Sequence, residues 1–169
     1  KKKIYGDKTE IFGFETPLID EGFNAKNKQA LVLGAGGVST SVILALNNLG
    51  IPKITLMNRT KDKALNIKQM FDGIEVREWG EKINFDIVVN CTSLGLNNEE
   101  IGINLNDVKG KIFYDIIYKP KTKFLINAEK NNKTIDGKMM FIYQAQKSFE
   151  IWHGVLPKID QKVIGLIND

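Results

Sequence analysis

Short apolar runs rich in branched residues alternate along the chain with stretches whose apolar positions recur at helical spacing. Such alternation predicts a parallel sheet covered by helices. Five runs read as strands: Gln29–Leu33, Lys53–Met57, Phe85–Asn90, Lys111–Ile116 and the short Lys133–Ile135, with another short strand near Ile74–Val76. Between the first two, Val38, Val42, Ala45, Leu46 and Leu49 give a helix one apolar face, and Gly50 and Pro52 end it. A second helix takes Thr60 as its N-cap and turns Ala64, Ile67 and Phe71 inward. After Ile135 the pattern becomes two helices. The first carries Met140, Phe141, Gln144, Ala145, Ser148, Phe149 and Trp152 in two adjoining stripes, and the second carries Val163, Ile164 and Ile167. The polar stretch Asp20–Lys28 reads as a linker.

Length and composition narrow the class. A chain of 169 residues suits one domain and can remove roughly two-thirds of its unfolded surface from water. Its net charge of +4 is spread along the chain without aromatic interleaving, so nucleic-acid binding is not expected; Lys1-Lys2-Lys3 reads as a solvated end. One cysteine, Cys91, excludes an internal disulfide, and the single His153 has no neighbour that would complete a metal site, so no metal is expected. No apolar run approaches the roughly 18–20 residues of a membrane span, and no secretory pattern opens the chain. A cytoplasmic protein with no membrane partner is expected. The absence of an initiating Met points to a piece of a longer protein.

The run LVLGAGGVS supplies the first chemistry. A strand ends at Leu33, the backbone turns through Gly34, Ala35, Gly36 and Gly37, and a helix opens at Val38 and Ser39. Free amides at a helix start, together with the positive end of its dipole, suit a phosphate or pyrophosphate. With Ser39 at its third small position, the turn fits the dinucleotide fingerprint of a Rossmann-type α/β sheet; a tight strand-to-helix corner and a methyltransferase loop are the alternatives. The second strand ends in Asn58-Arg59-Thr60, where an NAD site would place an acid. Arg59 offers a planar cation to a 2′-phosphate, Asn58 and Thr60 offer neutral hydrogen bonds, and Lys63 lies one helical turn on. NADP is therefore the expected cofactor. The other reading of Arg59 is a solvated arginine in a capping turn.

The segments VLGAGGVS, NRTKDKA, DIVVNCTSLG, YDIIYKP, DGKMMFIYQA and FEIWHGVLP, in this order and spacing, resemble the NADP-binding half of shikimate dehydrogenases, from about residue 6 to about residue 160. The resemblance implies that Asn90, Thr92, Ser93 and Gly95 form a turn beside the nicotinamide end of the cofactor, with Ile116, Gly137 and Met140 near the ring. It implies substrate contacts for Thr9, Tyr118 and Gln144, which packing or capping roles would also explain for the last two. Cys91 in the same turn reads as a small buried residue, and the Trp152-His153-Gly154 segment as structural.

The family reaction transfers a hydride between nicotinamide and a ring carbon, interconverting 3-dehydroshikimate and shikimate, and a lysine and aspartate handle the proton. The resemblance places the lysine in an N-terminal substrate domain absent from this sequence. The aspartate belongs to an Asn-Thr-Asp-Gly segment for which this chain has Lys8, Thr9, Glu10 and Ile11. Glu10 is thus the candidate catalytic carboxylate, or else Lys8 and Glu10 form an ion pair on a solvated strand. Residues 1–28 are expected to lead to the substrate domain, and 29–169 to form the NADP-binding domain with C-terminal helices. Those helices are expected to expose an apolar patch around Met140, Phe141 and Phe149 where they return to that domain. The expected function is an NADP-dependent oxidoreductase of aromatic amino acid biosynthesis acting on shikimate or a related ring acid. A quinate-type paralogue and a non-catalytic nucleotide-binding module are the alternatives.

Overall fold

The structure, a computed structural model, describes residues 3, 6–105 and 107–167; Lys1 and Lys2 of the basic opening lie outside them. Six strands form one sheet: β1 (Gln29–Leu33), β2 (Lys53–Met57), β3 (Ile74–Arg77), β4 (Ile87–Asn90), β5 (Ile112–Asp115) and β6 (Lys133–Ile135). Their order is β3-β2-β1-β4-β5-β6 and every pairing is parallel, which is the Rossmann arrangement expected from the sequence. The helices are α1 (Thr9–Asp20), α2 (Ser39–Asn48), α3 (Lys61–Lys68), α4 (Lys123–Ala128), α5 (Lys138–His153) and α6 (Gln161–Gly165).

Alternation along the strands divides the core in two. Ala30, Val32, Ile54, Leu56, Ile87, Val89 and Tyr114 face one cluster, which includes residues of α1, α2, α3 and α5. Leu31, Leu33, Met57, Val88 and Phe113 face the other, with Phe124, Leu125 and Ala128 of α4. Successive side chains leave opposite faces of a strand, so runs without polar gaps are what a sheet covered on both sides requires.

Two helices depart from the sequence expectation. The segment 9–20 falls in the stretch 1–28 that the sequence reads as a connection, with Lys8 and Glu10 either paired on a strand or Glu10 left as the catalytic carboxylate; it is helix α1, seated in the core with Phe14 and Leu18 fully buried. Pro17 inside a helix costs about 3 kcal/mol, whereas burying Phe14 and Leu18 contributes about 1.5–3 kcal/mol each, so packing wins. No Lys8–Glu10 ion pair is present among the described residues; the Lys8 amide donates to Asp7 Oδ1 instead. The short α4 has too few residues to show a period, and it is held by Phe124, Leu125 and Ala128 against the sheet. Thr60 does precede α3 with extended backbone, yet its side chain makes no capping bond.

Candidate active site

The turn after β1 is built by its own side chains. Gly34 has φ +101°, and a Cβ there would meet Thr92 Cγ2 at 2.8 Å and the Cys91 carbonyl oxygen at 3.0 Å, so only glycine fits. The Gly34 amide donates to the Met57 carbonyl at 2.8 Å and the Ala35 amide to Asn58 Oδ1 at 3.0 Å. Buried Ser39 closes the loop, accepting from the Gly36 amide at 3.0 Å and donating to the Gly34 carbonyl at 2.8 Å. Three amides of the turn are thereby used internally. Among the described residues those of Gly37 and Val38 have no protein acceptor, and they stand at the start of α2 with open space beside Gly37.

Two clefts of about 320 Å³ flank this turn at the carboxyl ends of the strands. The first is bounded by Gly34–Gly36, Asn58–Thr60, Lys63, Trp79 and Cys91–Leu94. Arg59 and Lys63 are exposed there, and among the described residues neither is paired with a carboxylate, whereas Lys61 is taken by Glu78. The cleft therefore presents two free cations to an anion. Asn58, expected as a phosphate contact, lines this cleft and also has a structural role: besides holding Ala35 it donates from Nδ2 to the Thr60 carbonyl at 2.7 Å.

The 90–95 turn walls this cleft. Asn90 is fully buried; its Oδ1 accepts from the Thr92 amide at 3.0 Å and the Thr92 hydroxyl at 2.7 Å, and its Nδ2 donates to the Leu94 carbonyl at 3.2 Å. The Thr92 hydroxyl also accepts from the Leu94 amide at 3.0 Å. Gly95, with φ +115°, is buried against Thr122, and its amide donates to Glu99. Asn90 and Gly95, expected in a turn beside the cofactor, do shape such a turn, and Ser93 is its exposed side chain. Burial pushes the Cys91 thiol far up, which makes it inert.

The second cleft gathers Glu10, Gly37, Val38, Ile116, Tyr118, Gly137, Met140 and Gln144, eight residues that the sequence assigns separately to catalysis, cofactor or substrate, together with Phe141. A Cβ on Gly137 would lie 2.0 Å from the Ile116 carbonyl oxygen, so this glycine sets how closely α5 approaches the end of β5. Tyr118 stacks on Phe141 at 5.2 Å. Thr9, next to Glu10 in the chain, does not line this cleft; its hydroxyl accepts from Ser148 at 3.1 Å. His153 is exposed at the far end of α5, its ring against Phe149, and takes no part. The expected apolar patch is present in part: Phe141 and Phe149 are exposed with Ile151 and Trp152, but Met140 is buried.

Sequence reasoning missed Trp79, which follows the weakly patterned β3, and Leu94. It also missed Gly13, which carries α1 against α5. The larger hollow of about 750 Å³ between residues 100–105 and α4 contains none of the predicted residues. Among the described residues no cluster of His, Cys, Asp or Glu is arranged for a metal, and no helix is long and apolar enough to cross a membrane.

Known proteins are similar to this chain in sequence and in fold. The chain is 52% identical over 170 residues to the shikimate dehydrogenase (NADP(+)) of Pelagibacter ubique, matching 98% of this chain and 64% of that one. Its fold superposes on the crystal structure of shikimate dehydrogenase from Aquifex aeolicus with a TM-score of 0.86 at 38% identity, over 98% of this chain and 62% of that chain. It is also similar to a 5-ketofructose reductase of Gluconobacter sp., with a TM-score of 0.82 at 27% identity over 95% of this chain and 62% of that one. The chain therefore spans somewhat under two-thirds of the length of these relatives. The glycine turn, Asn-Arg-Thr and the Asn90 turn fall within residues 18–116, the stretch that matches the sequence pattern of the shikimate / quinate 5-dehydrogenases, and to that family this chain belongs.

Proposed function

We propose that the chain binds NADP across the two clefts and forms the cofactor-binding part of an oxidoreductase interconverting 3-dehydroshikimate and shikimate, a step of aromatic amino acid biosynthesis. The end of β2 carries this reading. Asn58 stands where an NAD site has an acid, and Arg59 and Lys63 reach the cleft without a carboxylate partner among the described residues. A 2′-phosphate fits those two cations with the Thr60 hydroxyl, and a pyrophosphate fits the Gly37 and Val38 amides at the start of α2.

When bound, the nicotinamide supplies or accepts the hydride. This chain's residues would do the rest of the work in the second cleft. Ile116, Gly137 and Met140 give the ring a largely apolar wall that excludes water. The Tyr118 hydroxyl and the Gln144 amide suit the hydroxyls and carboxylate of a ring acid. Glu10 is the carboxylate within the cleft that can orient a cationic acid toward the developing alkoxide. That cation, a lysine, would come from an N-terminal substrate domain joined ahead of α1, and the place of action would be the cytoplasm.

One observation favours a second reading, a nucleotide-binding module without catalysis: Lys8 and Ile11 replace the family's amide and glycine around Glu10. A quinate-type paralogue would instead keep catalysis and change the acid. Calorimetric titration with NADP and with NAD tests the cofactor. Tighter binding of NADP is expected, weakened about tenfold or more in Arg59→Ala while NAD is little affected. Equal affinity for the two, unchanged in the variant, would overturn the assignment. Turnover of shikimate against quinate by the protein carrying its substrate domain separates the three readings.

A further inference from the structure

Asp115 ends β5 without exposed surface, and among the described residues no cation pairs with it. Its carboxylate accepts from Asn90 Nδ2 at 3.1 and 3.2 Å, from the Ile117 amide at 3.0 Å and from the Thr122 hydroxyl at 2.6 Å. All three partners are donors. An acceptor-only side chain satisfies them together, whereas an asparagine would set an NH₂ group against one of them. Burial pushes the carboxyl above its ordinary range, opposed by the bonds from Thr122, Ile117 and Asn90. A buried charge without a counter-ion costs stability, so the fold alone gives little reason for it.

The partners belong to two different turns. Asn90 organises 90–95 through Thr92 and Leu94, and a Cβ on Gly95 at the far end of that turn would lie 2.7 Å from Thr122 Cγ2. Ile117 and Thr122 bracket the segment that carries Tyr118. The first turn lines the cleft beside Arg59; the second supplies Ile116 and Tyr118 to the cleft beside Gln144. Asp115 is bonded to both.

We propose that Asp115 is a positioning residue that keeps the walls of the two clefts in register, so that a single ligand reaching both is held at each end. The proposal rests on the cofactor reading, since NADP is such a ligand. A two-point ligand gains from its second contact only when the spacing of the two sites is fixed.

The test is calorimetric titration of the unmodified chain, Asp115→Asn and Thr122→Val with NADP and with adenosine 2′,5′-bisphosphate, which carries the phosphate-bearing half alone. The unmodified chain is expected to prefer NADP, and that preference to fall about tenfold in both variants. Partial unfolding lowers both affinities alike and cancels in the ratio. Thr122→Val keeps the shape beside Gly95 and reads the same joint if Asp115→Asn fails to fold. An unchanged ratio in the variants, or no preference for NADP in the unmodified chain, overturns the proposal and leaves the cofactor reading standing. Binding of neither ligand by the unmodified chain overturns both.

Discussion

Gly13 of α1 meets Gln144 of α5 so closely that a Cβ on the glycine would lie 3.0 Å from Gln144 Cβ and 2.6 Å from the Met140 carbonyl oxygen. This crossing puts Glu10, three residues before Gly13, in one cleft with Gln144. The obstructing atom is backbone and cannot swing away. Gly13→Ala is therefore expected to force α1 off α5 and to destabilise the fold by about 1–3 kcal/mol, measured by denaturant unfolding. Unchanged stability would mean that the helices tolerate a wider crossing.

Asn58 holds the glycine turn through Ala35 and stands beside the two free cations. In Asn58→Asp the bond from Ala35 is kept, but the donor to the Thr60 carbonyl is replaced by an oxygen, and a negative charge faces the phosphate site. The NADP-to-NAD affinity ratio should fall at least about tenfold, with NAD itself little changed or improved. Titration with both cofactors reads this directly, and a constant ratio would remove Asn58 from the specificity argument.

Glu99 fastens the end of the 90–95 turn. Amide bonds from Asn97 and Gly95 bring its carboxyl from 4.5 down to about 2. A lowered folded-state value means that its stabilisation is present above the unfolded value and is lost as pH falls through about 2. Glu99→Gln should accordingly lower the melting temperature at pH 7, with the gap to the unmodified chain closing on acidification from about 4.5 toward 2. A gap independent of pH would mean that the carboxylate charge is not what holds the turn.

Trp79 lines the cleft with Arg59, whereas Trp152, 77% exposed, is at the end of α5. These are the chain's two tryptophans. Adenosine 2′,5′-bisphosphate should quench the emission of Trp152→Phe, where Trp79 alone reports, and leave that of Trp79→Phe unchanged. Quenching confined to the second variant would place the ligand elsewhere.

The sheet, its order of elements and the glycine turn were legible in the sequence because each is a local pattern: unbroken apolar runs, a helical period, glycines at a strand end. The same holds for Arg59, which lies two residues beyond the end of its strand. Tertiary structure alone decided the rest. α1 contains Gly13 and Pro17, poor helix formers, and is helical because Phe14 and Leu18 are buried against the domain and Gly13 fits against α5. The structural roles of Asn58, Asn90 and Asp115 depend on hydrogen-bond partners 23 to 25 residues away in the chain, a separation no periodicity encodes. Glu10 and Gln144, far apart along the chain, share a cleft only because two helices cross where one residue has no side chain.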